Sequence, residues 1–225
     1  MWRTRFKPAG VPVFPRSDAP AAPCVLGALL ADEPWREAIA WPPGFEGGIC
    51  HRLDNATSGA LLIADHLDAL AAARAQFAAG ALRKRYLLLA ARTPAWADNR
   101  CDLSIAHDPR RKSRMVVQRG PNTPHRGKWY PAHTAFRRLD GPLLAAEITT
   151  GVTHQIRVHA AFLGVPLAGD PVYGGGPRPP GATDAAPFHL HHLGLRGADG
   201  LATGPVPRPA WADRAGEAAP PAEER

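Results

Sequence analysis

The sequence predicts one globular domain that mixes α-helices and β-strands. Three observations predict this fold class. The chain has 225 residues, of which 45% are hydrophobic and 21% charged, and this is enough apolar material for one core. Short apolar runs typical of buried strands alternate with helical segments. The chain contains neither an internal repeat nor a stretch with the composition of a domain linker.

The first predicted elements follow one another closely. Residues 24–30 form a short apolar segment within a region rich in Pro and Gly. Residues 60–64 are an unbroken apolar run after a glycine, which predicts a buried strand. Asp65 is expected to cap a helix over residues 66–79, because a carboxylate can accept a hydrogen bond from the first helical turn. Gly80 stands where a helix commonly ends.

The second half of the chain predicts further strands and one more helix. The strands are expected at residues 85–90, 113–118, 132–138 and 143–149. Thr153 is expected to cap a helix that runs through Leu163 and ends at Gly164. Residues 212–225 are rich in Pro, Ala and Glu, so we expect a disordered tail.

The charge distribution points to a polyanionic partner. The net charge is +7, and residues 100–138 contain ten basic and two acidic residues. Such a stretch suits nucleic acid, because each paired phosphate releases counterions. The alternative is a merely solvated surface, because 23 of the 27 basic residues are Arg, a bias that a GC-rich coding sequence also produces.

Other classes of protein are disfavoured. No run approaches the 18 apolar residues of a membrane-spanning helix, and no apolar segment follows the basic N-terminus as in a secretory signal. Cys24, Cys50 and Cys101 are too few and too scattered for a disulfide framework or a metal site. His189, His191 and His192 have no acidic or Cys ligand beside them, so we expect no metal. The sequence predicts a cytoplasmic protein without a membrane anchor.

Two polar segments bear the candidate chemistry. Residues 51–59 read HRLDNATSG immediately before the predicted strand, and residues 150–159 read TGVTHQIRVH at the start of the predicted helix. Taken singly, the first could be an ordinary turn and the second an ordinary capped amphipathic helix.

Taken together, these segments resemble a known family. HRLDNATSG resembles the HRLDxxTSG signature of the RluA-type pseudouridine synthases, and TGVTHQIRVH resembles their TGRxHQIRxH motif. Four further elements occur in the family's order: KPAG at 7–10, KRY at 84–86, GVPLAGD with YG between 164 and 174, and the closing LHH and PVP segments.

The resemblance implies an α+β fold with a mixed, largely antiparallel central sheet, flanking helices and loops, and an active-site cleft. It implies an RNA pseudouridine synthase, an isomerase that turns uridine into pseudouridine in ribosomal or transfer RNA without a cofactor. Residues 1–211 would be the catalytic domain, without an additional S4-type RNA-binding domain. We expect a monomer.

The resemblance also assigns the catalytic residues. Asp54 would act on the ribose, either as nucleophile at C1′ or as base toward the 2′ proton. Arg157 would pair with Asp54, because a guanidinium favours an ionised carboxylate. Tyr86 would lie against the target base. The alternatives are a plain turn carboxylate for Asp54, solvent or Glu147 as the partner of Arg157, and a core position for Tyr86.

The predicted RNA-binding residues come from the same motifs and from the basic stretch. By family analogy, Arg52 fills the place that the flipped nucleotide leaves. The others are His51, Thr57, Lys84, Arg110, Arg111, Lys112, Arg114, His154 and Gln155.

Three departures from the family pattern stand out. Val152 replaces the Arg of the TGR triplet, Phe6 stands where an Asn is usual, and few residues precede Lys7, so we expect one edge of the sheet to be missing or rebuilt. The rival hypothesis is a catalytically weak RNA-binding protein on the same scaffold. An Asp-dependent hydrolase is remote, because no second carboxylate or metal cluster accompanies Asp54.

Overall fold

The computed structural model describes residues 1–214, which fold into ten β-strands and four α-helices. The strands are β1 (Trp2–Lys7), β2 (Ser58–Ala64), β3 (Arg83–Leu89), β4 (Asp98–Cys101), β5 (Ile105–His107), β6 (Met115–Val117), β7 (Arg126–Tyr130), β8 (Thr134–Asp140), β9 (Leu143–Ile148) and β10 (Leu190–Arg196). The helices are α1 (Val25–Asp32), α2 (Leu67–Ala78), α3 (Gln155–Phe162) and α4 (Ala210–Arg214).

The chain divides into two compact units. Unit 1 comprises Met1–Arg85 and His191–Pro207, and unit 2 comprises Tyr86–Leu190 and, of the described residues, 208–214. None of the described helices is long and apolar enough to cross a membrane.

Unit 1 has strands in the order β1-β2-β10. Strand β1 pairs antiparallel with residues 59–64 of β2, and β10 pairs parallel with Ser58 and Gly59. The edge strand that the sequence predicted to be missing or rebuilt is therefore present. Every residue of β2 is buried, because β2 is central and an unbroken apolar run can be covered on both faces. Leu62, Leu70 and Leu195 pack in the core cluster of this unit.

Unit 2 contains strands in the order β3-β9-β8-β4 and a separate three-stranded sheet in the order β6-β5-β7. The β4–β8, β8–β9, β5–β6 and β5–β7 pairs are all antiparallel. Helix α3 packs with the small sheet through a cluster that includes Ile105, Val117 and Val158. The prediction of an α+β fold with a largely antiparallel sheet is confirmed.

Several predicted boundaries are wrong. Helix α2 is capped by His66, whose Nδ1 accepts the Ala69 N–H at 3.3 Å, and not by Asp65. Helix α3 begins at Gln155, after His154 in a left-handed backbone conformation, so Thr153 is not its cap. The predicted strand at 113–118 is confined to β6, and β4, β5 and β7 were not predicted. Of the predicted tail, residues 212–214 belong to α4, and residues 215–225 lie outside the described part of the chain.

Candidate active site

The Asp54 turn lies in unit 1 immediately before β2. The Asp54 carbonyl accepts the Thr57 N–H at 3.0 Å, and the Asn55 carbonyl accepts the Gly10 N–H at 2.9 Å. Asp54 is half-buried, whereas Asn55 is exposed and Thr57 is buried. The two hydrogen bonds hold a four-residue reversal that presents a half-buried carboxylate, next to a fully buried strand.

The buried ammonium of Lys7 bonds the backbone of this turn. Lys7 was not among the predicted site residues. Its ammonium donates to the carbonyl oxygens of Pro8 at 3.0 Å, Asn55 at 2.8 Å and Thr57 at 2.6 Å. The side chain is fully buried, and burial lowers the pKa of Lys7 to about 8, an effect that the negative charge of Asp54 partly offsets. The signal for Lys7 was its place in the KPAG element.

The polar side chains around the turn form hydrogen bonds with other groups of unit 1. His51 Nε2 accepts the Leu62 N–H at 3.1 Å, Ser58 Oγ bonds His191 Nδ1 at 2.8 Å, and His192 Nδ1 donates to the Ala60 carbonyl at 2.7 Å.

Burial keeps these three imidazoles uncharged. Burial lowers the pKa of His191 and of His192 to about 4. It also lowers the pKa of His51 well below its ordinary value, because a protonated His51 would in addition be repelled by the charge of Lys84. The Nε2 atom of His51 already accepts a backbone N–H. The contact of His51 with RNA stays a prediction.

The basic residues predicted near the turn lie in different environments. Arg52 is exposed. Lys84 is buried in β3, its Nζ lies 5.5 Å from the centroid of the Phe77 ring, and burial lowers its pKa to about 8. Tyr86, two residues further along β3, is also buried. Of the two basic side chains, that of Arg52 is exposed to solvent and that of Lys84 is buried.

Arg157 lies in unit 2 on α3 and is held by a carboxylate that sequence reasoning missed. Its Nε donates to Asp170 Oδ2 at 2.7 Å and its Nη2 donates to Asp170 Oδ1 at 2.9 Å. Asp170 also accepts the backbone N–H groups of Val172 and Tyr173. Both partners are buried, so this is a bidentate ion pair in a low-dielectric setting.

Aromatic rings complete the setting of Arg157. Its guanidinium carbon lies 4.5 Å from the centroid of Phe188 and 5.2 Å from that of Tyr173. Asp170 and Tyr173 belong to the GDxxYG element that the sequence contained, and this was the available signal for both. The predicted pairing of Arg157 with Asp54 stays a prediction.

Tyr173 links His154 to β6. The Tyr173 hydroxyl accepts the Met115 N–H at 3.0 Å and forms a second hydrogen bond with His154 Nδ1 at 3.1 Å. Burial raises the pKa of Tyr173 to about 12, so the phenol keeps its proton.

Gln155 is a structural link at the start of α3. Its Oε1 accepts from Thr150 Oγ1 at 2.9 Å and from the Val152 N–H at 3.1 Å. Its Nε2 donates to the His133 carbonyl at 2.9 Å and to Thr134 Oγ1 at 3.1 Å. The amide is buried and uses its hydrogen-bonding capacity internally, so its predicted role in RNA binding finds no support from its surroundings.

The basic stretch places an exposed loop between β5 and β6. Arg110, Arg111 and Lys112 are exposed, and Asp108 Oδ1 accepts the backbone N–H groups of the two arginines at 2.8 and 3.0 Å. Arg114 is half-buried, with its guanidinium 5.9 Å from the Tyr173 centroid. The loop thus offers three solvated cations on an ordered turn.

Within residues 1–214, no three His, Cys, Asp or Glu side chains come together in a group that could hold a metal ion. The functional groups described above are carboxylate, guanidinium, ammonium, imidazole and phenol. These groups can bind an anion and transfer protons.

Solved structures share this fold. A structure titled Human RNA Pseudouridylate Synthase Domain Containing 4 superposes with a TM-score of 0.66, with 22% sequence identity, over 94% of this chain and 87% of that one. A second, titled Human RNA Pseudouridylate Synthase Domain Containing 1, superposes with a TM-score of 0.59 at 24% identity, over 72% of this chain and 69% of that one. At these identities the likeness defines the fold alone.

The sequence comparison defines the family. Residues 6–162 match the family described as RNA pseudouridylate synthase, and the chain therefore belongs to that family. An uncharacterized RNA pseudouridine synthase of Chloroflexus aurantiacus is 41% identical over 75% of this chain and 50% of its own length. A ribosomal large subunit pseudouridine synthase D of Xanthomonas campestris is 36% identical over 79% of this chain and 51% of its own. The chain spans about half the length of these curated relatives.

Proposed function

We propose that this chain isomerises uridine to pseudouridine in RNA. The observation that supports this most strongly is the Asp54 turn, which matches the family signature and is held by a buried ammonium on three carbonyl oxygens. Membership of the pseudouridylate synthase family supports the same reaction.

The reaction needs a group that works on the ribose and a group that orients the base. The N1–C1′ glycosidic bond breaks, the base turns, a C5–C1′ bond forms, the C5 proton leaves to solvent and N1 gains a proton. Asp54 is the proposed catalytic carboxylate, as nucleophile at C1′ or as base toward the 2′ proton. Tyr86 is proposed to lie against the base, and Arg157 to stabilise the ionised carboxylate.

RNA contact is proposed to rest on the exposed cations. Arg52 takes the place of the flipped nucleotide, and the loop with Arg110, Arg111 and Lys112 binds phosphates. His154, which is half-buried at the start of α3, is proposed to contact RNA. Thr57 and Gln155 are proposed to act from the interior by holding the turn and the start of α3, whereas His51 and Lys84 remain proposed contacts of RNA.

The substrate is proposed to be a uridine in ribosomal or transfer RNA, and the protein to act as a monomer in the cytoplasm. One relative from Xanthomonas campestris is named for the ribosomal large subunit, which favours ribosomal RNA as the first substrate to test.

One observation favours a second function, RNA binding with weak catalysis. Val152 stands in the place of the motif Arg, and its half-buried side chain packs against the apolar cluster of unit 2. An aliphatic side chain there cannot donate a hydrogen bond to RNA, so substrate affinity or placement is reduced relative to the family pattern.

Carbodiimide mapping of pseudouridine decides between the two functions. RNA from cells with and without the protein is compared, and we expect at least one modified uridine to disappear when the protein is absent. Identical profiles in a well-sampled transcriptome would contradict the synthase proposal and favour the RNA-binding one. The same experiment identifies the target nucleotide.

A further inference from the structure

The three-stranded sheet of unit 2 brings two basic segments to one end. Arg126, the first residue of β7, lies opposite His107 of β5, and His107 lies opposite Met115 of β6. The start of β7 is therefore beside the loop that connects β5 to β6. That loop contains the exposed cations of residues 110–112, and Arg126 and Lys128 on β7 are exposed as well.

Two aromatic rings at the start of β7 pack against each other as a tilted pair. The ring centroids of His125 and Trp129 are 4.3 Å apart, with an angle of 34° between the planes. Gly127 lies between them in sequence, and a Cβ at that position would meet no atom within 4 Å. Trp129 is half-buried whereas His125 is exposed, so the imidazole is the ring of the pair that solvent reaches.

The exposed ring is fixed before any ligand binds. His125 Nδ1 donates to the Thr123 carbonyl at 3.0 Å. Thr123 Oγ1 in turn accepts the backbone N–H groups of Arg119 and Gly120, both at 3.0 Å. A ring that is already ordered loses little conformational entropy when it stacks on a ligand, so the arrangement favours binding.

The electrostatic surroundings select the ligand. Residues 109–139 contain nine basic residues and no acidic one. A positively charged surface with aromatic rings for stacking is the combination that binds single-stranded nucleic acid, because the cations bind the phosphates and the rings bind the bases. A protein partner would bind here through apolar surface or through its own carboxylates. The two paired rings offer it little apolar surface.

We propose that the His125–Trp129 pair binds an unpaired RNA base next to the phosphates held by the basic loop, at a subsite made of different residues from those of the Asp54 turn. This inference rests on the proposed function for the class of ligand, RNA. It adds a specific requirement, namely that the substrate contains an unpaired nucleotide besides the target uridine.

The test uses a fluorescently labelled oligoadenylate of about twelve nucleotides, a length within the range of single-strand sites. It contains no uridine, so binding is measured without isomerisation. We expect the affinity of His125→Ala to fall about 5- to 30-fold, as for loss of one base–aromatic stack. His125→Tyr, which keeps a ring, should bind within about twofold of the wild type.

Controls separate stacking from folding and from charge. Trp35→Ala removes an exposed aromatic ring from unit 1 and should leave oligoadenylate binding unchanged. The salt dependence of binding should be the same in His125→Ala and the wild type, because stacking releases no counterions. Trp129→Phe keeps an aromatic ring beside the imidazole and should bind oligoadenylate within about twofold of the wild type.

Equal affinity of His125→Ala and wild type for oligoadenylate would overturn the proposal. So would an equal loss of affinity for a fully paired RNA duplex, because a paired base cannot insert over the imidazole. Failure of the synthase proposal is read independently, from pseudouridine mapping, since oligoadenylate binding does not depend on catalysis.

Discussion

At the scale of single residues, Arg157 is held in one orientation by a buried partner. Asp170 binds it through two parallel hydrogen bonds, and two aromatic rings face the guanidinium. Removing one member of a buried ion pair leaves the other charge without compensation, which costs far more than the pair itself contributes.

The substitution Asp170→Asn should therefore reduce both stability and turnover. We expect the free energy of unfolding to fall by about 3–5 kcal/mol. We expect kcat to fall about 10- to 100-fold with a smaller change in KM, because a displaced guanidinium affects the chemistry more than the binding. Urea denaturation and steady-state kinetics measure the two effects.

Asp184→Asn is the matched control for this substitution. Asp184 pairs with Arg178 at 2.6 Å, and its side chain is 92% exposed, so the same change should leave stability and kinetics unaltered. Equal kinetics of Asp170→Asn and Asp184→Asn would show that Asp170 does not position Arg157.

Lys7 is the second positioning residue, because its ammonium bonds the turn that contains Asp54. Lys7→Met removes three charge-assisted hydrogen bonds and should cost about 2–4 kcal/mol of stability. Lys84→Met is the control, since the ammonium of Lys84 faces an aromatic ring and its loss should cost about 1 kcal/mol or less. A comparable loss in both variants would contradict the role of Lys7.

The stability difference between wild type and Lys7→Met should depend on pH. Burial lowers the pKa of Lys7 to about 8 from an ordinary value of 10.5, so the native state releases its proton first as pH rises. Between these two values the unfolded chain binds more protons than the native one, and the stability of the wild type rises relative to the variant. A difference that stays constant from pH 7 to pH 10 would show that Lys7 titrates normally.

The sequence motifs predicted which residues belong to the candidate site better than they predicted the hydrogen-bond partners of those residues. Asp54 and Arg157 could be named from the signatures, but the pairing of Arg157 with Asp170 joins residues 13 positions apart through the fold. His51 and Gln155 were expected to face RNA, yet both use their polar atoms on backbone groups of their own unit. A polar residue in a motif can serve the turn or the helix that presents the site, and one sequence does not separate these roles.

At the scale of elements, apolar pattern decided which predictions succeeded. Strand β2 and helix α2 were predicted because a fully buried strand and a helix after it leave clear patterns. Strand β7 was not, because its sequence RGKWY has two basic residues and a glycine with φ +76°. Its pairing with β5 across a register irregularity, and not its own composition, makes it a strand.

The start of α3 shows a different limit. The helix follows His154, which has φ +56° and no side-chain cap, and Gln155 binds the Val152 N–H instead. A Thr before an amphipathic run normally predicts the cap, but here His154 forms a hydrogen bond with Tyr173, 19 residues further along the chain. Tertiary contacts therefore override the local capping preference.

A substitution at Gly59 tests the close approach between β2 and β10. It has φ +127°, and a Cβ there would lie 2.1 Å from the carbonyl oxygen of His192. Gly59→Ala should lower the free energy of unfolding by about 3–5 kcal/mol, from backbone strain and steric overlap together. Gly120→Ala, where a Cβ would meet nothing within 4 Å, should change it by less than about 1 kcal/mol. Similar urea midpoints for the two variants would contradict this account of β2.

At the scale of the whole molecule, the net charge of +7 acts through its distribution. Replacing Arg110, Arg111 and Lys112 with Gln should make RNA binding less sensitive to salt. The magnitude of the negative slope of log K against log salt should fall by about 2. The matched control replaces Arg3, Arg5 and Arg16 with Gln, which changes the net charge by the same amount. These three arginines already pair with carboxylates. Equal slopes for the two triple variants would indicate that total charge, and not the loop, determines RNA affinity.

The family, the fold and the Asp54 turn support one central claim, that Asp54 performs the chemistry of pseudouridine formation. Release of tritium from RNA labelled at C5 of uridine measures it directly, because the C5 hydrogen is lost when C5 becomes the glycosidic carbon. Asp54→Asn should release no tritium above background while its RNA affinity stays within about twofold of wild type, since phosphate contacts and not the carboxylate provide binding. Release by Asp54→Asn at the rate of the wild type, or release by neither protein, would contradict the claim.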